Sequence, residues 1–383
     1  MPPDREHIRV RPAKWNRVRL LCYPLAVVVV VRVFGAIWFY HLLSSTGNFH
    51  SSWMDANPSV ILPSRSTPVP FPSSNWLWLF NGWDSLHFPL LVMLGYTHPD
   101  YVFLPGYPAL IRIAGLLIGD YWFGAFLVTQ FFAFASIVVF QLIAEEYMSQ
   151  VEALYATLLM ATFPYVFVFT TLSYSEAVFL FASLSTWYFY KKERLITSSL
   201  WAGITSVTRI YGFVILVPVF IEIVKSKSLR RLGYFVIPLV FIGSWLLFCY
   251  FLTGDPIVSW TDEKYWSRGY SLAQTIASQI LGGVNGCCAL DAAVLVSVAI
   301  FAYVFMKIWE VDRELCAYAL GVFGALLFTA MNHLSLLRFF SFIFPVWLTV
   351  KVRNLFLVAI CIALFVPVSL LLWLYAINVT FIG

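Results

Sequence analysis

Long apolar runs joined by short polar stretches set the pattern of this chain. The runs at 20–43, 122–144, 153–171, 176–190, 232–252, 288–308, 313–331, 336–350 and 354–376 predict membrane helices, because a hydrocarbon core of about 30 Å takes about 20 apolar residues of helix. The run at 105–118 is shorter, roughly 21 Å of helix, and opens on Pro105 and Pro108. It predicts a re-entrant or juxtamembrane piece. Between Arg194 and Lys225 the pattern fits a hairpin of two short halves, with its tip near Thr208-Arg209-Ile-Tyr-Gly212. Residues 44–101 interrupt the apolar rhythm. Pro58, Pro63, Pro68, Pro70 and Pro72 exclude a long helix there, whereas 75–95 is aromatic and amphipathic enough to lie along the interface as a short helix.

The basic residues orient these runs. Arg5, Arg9, Arg11, Lys14, Arg17 and Arg19 precede the first run, which places residues 1–19 in the cytoplasm. Keeping Lys191–Arg194, Lys225–Arg231, Lys307, Arg313, Lys351 and Arg353 on that same side requires the 105–118 helix to return and the 195–225 hairpin to cross twice. The expectation is one domain over 1–383: an all-α polytopic membrane protein with about 11 transmembrane helices, a re-entrant helix, and external loops at 44–118 and 253–287. Composition agrees, with 61% hydrophobic and 11% charged residues and a mean hydropathy of +0.83, which excludes a soluble globular chain. The net charge of +5 reports orientation here, and no nucleic-acid partner is expected. Cys22, Cys249, Cys287, Cys288, Cys316 and Cys361 show no metal-ligand spacing and read as small buried hydrophobes. No cluster demands a metal, so none is expected to be tightly bound. Arg32 lies inside the first helix, where a charge needs a partner, a polar cavity or a route to the interface.

This topology gathers unusual polar groups on the external side: Asp84, His87, Glu176, Arg209, Arg338, and a loop with Asp255, Asp262, Glu263, Lys264 and Arg268. Transfer of a sugar from a lipid phosphate to a hydroxyl uses such a set. A carboxylate takes the hydroxyl proton, and arginines, whose fork matches phosphate oxygens, receive the departing phosphate. Asp84 is the expected base and Arg209 and Arg338 the expected phosphate ligands. His87 lies three residues on, placed to orient Asp84 or to donate to phosphate. Local structure offers competing readings. Asp84 after Trp83 fits a helix cap, Ser173-Tyr-Ser-Glu176 fits a capping box, and His87 fits an interfacial histidine.

Trp83-Asp84-Ser-Leu-His87-Phe88, Gly95-Tyr96, Phe103-Leu-Pro-Gly-Tyr-Pro108, Phe163-Pro164 with Ser173-Tyr-Ser-Glu176, and Thr208-Arg209-Ile-Tyr-Gly212 occur in the order and spacing of the PIG-V family. The chain resembles this family, the second mannosyltransferase of glycosylphosphatidylinositol (GPI) anchor synthesis and its prokaryotic relatives, over about residues 20–225. Thr253-Gly-Asp-Pro256 and Leu337-Arg338-Phe339 extend the likeness loosely. The resemblance implies a GT-C fold, a dolichyl- or polyprenyl-phosphate-mannose donor, a lipid-linked glycan acceptor, an inverting single displacement, and a lumenal or external site. Asp84 matches the acidic base of the first external loop, while Trp83, Tyr107, Glu176 and Tyr211, all within the motifs, become expected substrate contacts. The membrane implied is the endoplasmic reticulum in a eukaryote and the cell membrane in a prokaryote, with membrane lipids and a possible small membrane subunit as partners. The tip reads Arg-Ile-Tyr-Gly where the family often has Arg-Ser-Asn-Gly, which leaves the acceptor open to another lipid or a protein. A multi-helix transporter is the rival class, since broken helices and buried charges also describe carriers. No internal repeat supports that rival, and a purely structural subunit is the third reading.

Overall fold

The computed structural model describes residues 14–46, 74–225, 229–266, 288–328 and 333–378. Residues 1–13, the proline-rich 47–73, and 267–287 with Arg268 lie outside the described residues, as do the side chains of Glu263 and Lys264. Among the described residues every regular element is helical.

The first helix, α1 (Lys14–Thr46), covers the first predicted span. The single interfacial helix expected over 75–95 is instead three pieces: 3-10 turns at Asn75–Phe80 and Trp83–Leu86, then α2 (His87–Leu94). They pack into the bundle, with Leu77, Leu79, Phe88 and Leu90 buried. The interruption falls at Gly82, where a Cβ would collide with the Ala376 carbonyl of the last helix. Next come α3 (Gly106–Ile118) and α4 (Tyr121–Tyr147), the latter capped by the Asp120 carboxylate, which accepts the Trp122 and Phe123 N–H groups at 2.8 and 3.1 Å. The run predicted at 153–171 divides into α5 (Gln150–Thr162) and α6 (Pro164–Phe169), because Pro164 brings no N–H to continue the ladder.

After a break at 170–175 comes α7 (Glu176–Lys191), followed by α8 (Leu195–Ser206) and α9 (Leu216–Lys225), the two short halves of the predicted hairpin. The chain then forms α10 (Val236–Thr253), α11 (Val258–Trp266), α12 (Cys288–Val311), α13 (Arg313–Phe328), α14 (His333–Ser341) and α15 (Leu355–Asn378). Among the described residues, four stretches are long and apolar enough to cross a bilayer: Leu20–Ser45, Tyr121–Tyr147, Arg231–Thr253 and Leu355–Ile377. They make this an integral membrane protein. On α10 and α15 the exposed side chains include Leu247, Phe251, Phe356 and Leu364, which suits a lipid-facing surface.

At the centre stands α7, packed by α4 and α8 and buried along most of its length. Its small residues Ala177, Ala182, Ser183 and Ser185 are fully buried, which lets neighbouring helices approach closely. Its 16 residues separate its two ends by about 24 Å. At the C-terminal end Lys191 faces Asp312 at 3.9 Å, Lys192 pairs with Glu146, and the Tyr147 hydroxyl donates to Asp312 at 2.9 Å. Nearby pairs join Lys225 to Glu314 and Arg353 to Glu152. Lys191, Lys192, Lys225 and Arg353, assigned from sequence to one side of the membrane, thus share one end of the bundle, and a second charged cluster occupies the other.

The start of α3 is anchored to the hairpin tip through Gly106. Its N–H donates to the Val207 carbonyl at 2.7 Å, and a Cβ there would meet the same carbonyl at 2.8 Å and the Thr208 hydroxyl. Gly106→Ala is expected to cost about 1–3 kcal/mol through this overpacking, read as a lower thermal midpoint in lipid. A wild-type midpoint would show that the contact yields freely.

Candidate active site

Two segments outside the α-helices, 81–86 and 170–175, meet beside the N-terminal end of α7. The Ser173 N–H donates to the Phe80 carbonyl at 2.8 Å, and the Asp84 N–H donates to the Tyr174 hydroxyl at 2.9 Å. Trp83 is held at φ 51°, a left-handed conformation that a bulky residue adopts only when its surroundings enforce it. Its indole sits 5.9 Å from the rings of Phe169 and Tyr375. The Asp84 carboxylate follows directly, 20% exposed at the rim. It is not a helix cap: Gly82 heads the turn, with its N–H taken by the Ser85 hydroxyl at 2.7 Å.

Glu176 opens α7 and is 1% exposed. Its Oε1 accepts from Nε of Arg338 at 2.6 Å and also pairs with Nη2 of Arg338 and Nη2 of Arg209. Arg338 in turn reaches Oδ2 of Asp84 through Nη1 at 3.8 Å. The result is a continuous ladder of alternating charge, Arg209–Glu176–Arg338–Asp84, buried in the middle and partly exposed at both ends. The capping-box reading of Glu176 gives way to this geometry: Ser175 precedes α7 and no side chain caps it. Aromatic faces enclose the ladder. The guanidinium carbon of Arg338 lies 3.9 Å from the Phe169 centroid and 4.7 Å from that of Tyr174, while Phe339 sits about equally far from Arg338 and Arg209, at 5.0 and 4.9 Å. Two cations and two carboxylates balance formally, and only mutual attraction in a poorly solvated site offsets the cost of burying them.

The other expected residues divide. His87 finds a partner that sequence reading missed: its Nδ1 is 3.2 Å from Oδ1 of Asp100, a buried carboxylate, and its ring stacks on Phe103 at 5.0 Å. The signal was available, since Asp100 is the one acidic residue between Asp84 and Asp120. Tyr211 is buried 5.8 Å from the Phe339 ring and so backs the ladder. Tyr107, expected as a substrate contact, is instead a core residue. It is fully buried in the α3–α4 contact, with its hydroxyl on Thr129 at 2.7 Å and the Ala125 carbonyl at 3.2 Å. Tyr174, Phe169 and Phe339 surround the ladder without having been singled out from sequence. Asp255 and Asp262 of the second loop are engaged elsewhere: Asp255 accepts from the Ile257 N–H, and Asp262 is 2.8 Å from Nδ1 of His98. That pair docks α11 onto the segment holding Tyr96 and Tyr101, whose phenols burial pushes up; the Tyr96 hydroxyl donates to the Phe103 carbonyl at 2.9 Å.

An all-helical integral membrane protein with a buried, charge-balanced cluster at one end of its central helix is the class that fold and site define. No family model and no curated protein matches the chain in sequence. Among solved structures, the crystal structure of ArnT from Cupriavidus metallidurans in the apo state aligns with a TM-score of 0.46 at 14% identity, over 80% of this chain and 59% of that one. The chain therefore spans about three-fifths of that protein, and the likeness is too distant to bear on its chemistry.

Proposed function

We propose that this chain is a GT-C-type membrane glycosyltransferase that moves a sugar from a lipid-phosphate donor to a lipid-linked acceptor, by an inverting single displacement on the external face. The observation that carries this reading is the partly exposed carboxylate of Asp84, held through its backbone by Tyr174 and through its side chain by Arg338. Asp84 takes the proton of the acceptor hydroxyl as that oxygen bonds to the anomeric carbon. The bond from that carbon to the phosphate oxygen breaks, and the electron pair leaves with the phosphate. The family resemblance supplies the finer terms: mannose as the sugar, a dolichyl or polyprenyl phosphate as its carrier, and a GPI precursor or a prokaryotic lipid or protein as acceptor.

Two contrasts in geometry support unequal roles for the two arginines. Every Arg338 nitrogen has a carboxylate within 4 Å, which suits a clamp that orients Asp84. Arg209 is 14% exposed against 7% for Arg338 and pairs with Glu176 through Nη2, which suits the phosphate ligand. Arg209→Gln is accordingly expected to lower kcat/KM for the lipid-phosphate donor about 10- to 100-fold through loss of a charge-assisted contact, with a raised donor KM. Steady-state kinetics in lipid vesicles measure this, and an unchanged donor KM would remove Arg209 from the phosphate site.

A further inference from the structure

Arg32 carries a charge within the apolar stretch of α1 and is 5% exposed. Its hydrogen-bond partners among the described residues are neutral. Nη1 donates to Oε1 of Gln130 at 2.6 Å and Nη2 to the Thr170 hydroxyl at 2.7 Å. Phe134 and Phe167 lie 5.2 and 5.5 Å from its guanidinium carbon. A buried cation with no anion among its described partners is expensive in a bilayer, so its presence there calls for a task that an apolar residue could not perform.

Both partners lead to the same place. Gln130 uses its acceptor for Arg32 and its amide donor for the Thr171 carbonyl, at 2.9 Å. Thr170 is the C-terminal cap of α6. Arg32 therefore grips the start of the 170–175 break from two sides. Such a break frees backbone carbonyls in an apolar setting, and neighbouring helices must satisfy them. Within the next few residues the same segment delivers Ser173 to Phe80, Tyr174 to the Asp84 N–H and Glu176 to both arginines. Its position sets that of the Asp84 backbone.

We propose that Arg32 and Gln130 form a brace that fixes the 170–175 break against Asp84, which makes both of them positioning residues for the transfer step. The proposal rests on the glycosyl-transfer reading above. Neither side chain contacts substrate; they act through the Thr171 carbonyl and the Thr170 hydroxyl.

Gln130→Glu separates positioning from mere stability. A carboxylate at 130 pairs with Arg32 and should keep or raise the thermal midpoint, yet once ionised it has no N–H for the Thr171 carbonyl. The expected result is a midpoint at or above wild type, a kcat lowered about 10- to 100-fold, a donor KM within about twofold, and faster amide hydrogen exchange across 170–176. Gln130→Met should lose rate similarly while also losing midpoint. A wild-type kcat in Gln130→Glu overturns the brace. If the wild-type protein transfers no sugar from any donor, the transfer reading fails on its own, and hydrogen exchange then decides: faster exchange at 170–176 in Gln130→Glu supports the brace, and unchanged exchange overturns it.

Discussion

Asp84→Asn is expected to lower turnover by about 10²- to 10⁴-fold while leaving a folded protein that still binds its donor. The amide cannot take the proton of the attacking hydroxyl, yet it fills the same space and leaves the backbone bond from the Asp84 N–H to Tyr174 untouched. The side-chain contact that loses its charge is long, 3.8 Å to Arg338, and lies at the rim, so stability should fall by only about 1 kcal/mol. Loss of rate with retained midpoint and retained donor KM is the signature of a group that acts in the transition state. Near-normal turnover would transfer the role of base to another group.

Glu176→Gln should have the largest effect on stability, about 3–5 kcal/mol. Glutamine keeps an oxygen for Nε of Arg338 but removes the one buried negative charge between two guanidiniums, leaving Arg209 and Arg338 to repel each other where water cannot screen them. Unfolding measured in lipid checks this, and removing one of the repelling cations should recover part of the loss: Arg209→Gln added to Glu176→Gln is expected to be more stable than Glu176→Gln alone. If Glu176→Gln cost less than about 1 kcal/mol, the ladder would be a solvated arrangement and not a buried one.

The span pattern was legible because it depends on local composition. Apolar length and basic joints located α1, α4, α10 and α15 and even the two short halves α8 and α9, with Arg209 in the turn between them. The site was legible only as an inventory. Glu176 and Arg338 are 162 residues apart, and nothing in one chain's periodicity announces their pairing; meanwhile Ser173 and Glu176 imitate a capping box at short range. Tyr107 misleads for a related reason: it stands in a motif shared with the family that the chain resembles, which marks it as a substrate contact, but its helix turns it into the contact with α4, onto Thr129. Asp100 was overlooked because its partner, His87, had been assigned to Asp84 by helical spacing, whereas the chain between them folds back and brings Asp100 to the ring. Arg32 was flagged by its cost alone. Its partners Gln130 and Thr170 are neutral residues that no charge count could have selected.

The decisive assay presents purified protein in lipid vesicles with radiolabelled dolichyl- or polyprenyl-phosphate-mannose and lipid acceptors that include a mono-mannosylated GPI precursor, alongside Asp84→Asn. Label passing to an acceptor in the wild-type reaction and not in the Asp84→Asn reaction is the result expected of a lipid-phosphate-dependent transferase with Asp84 as base. A folded wild-type protein that moves no sugar from any lipid-phosphate donor would contradict it.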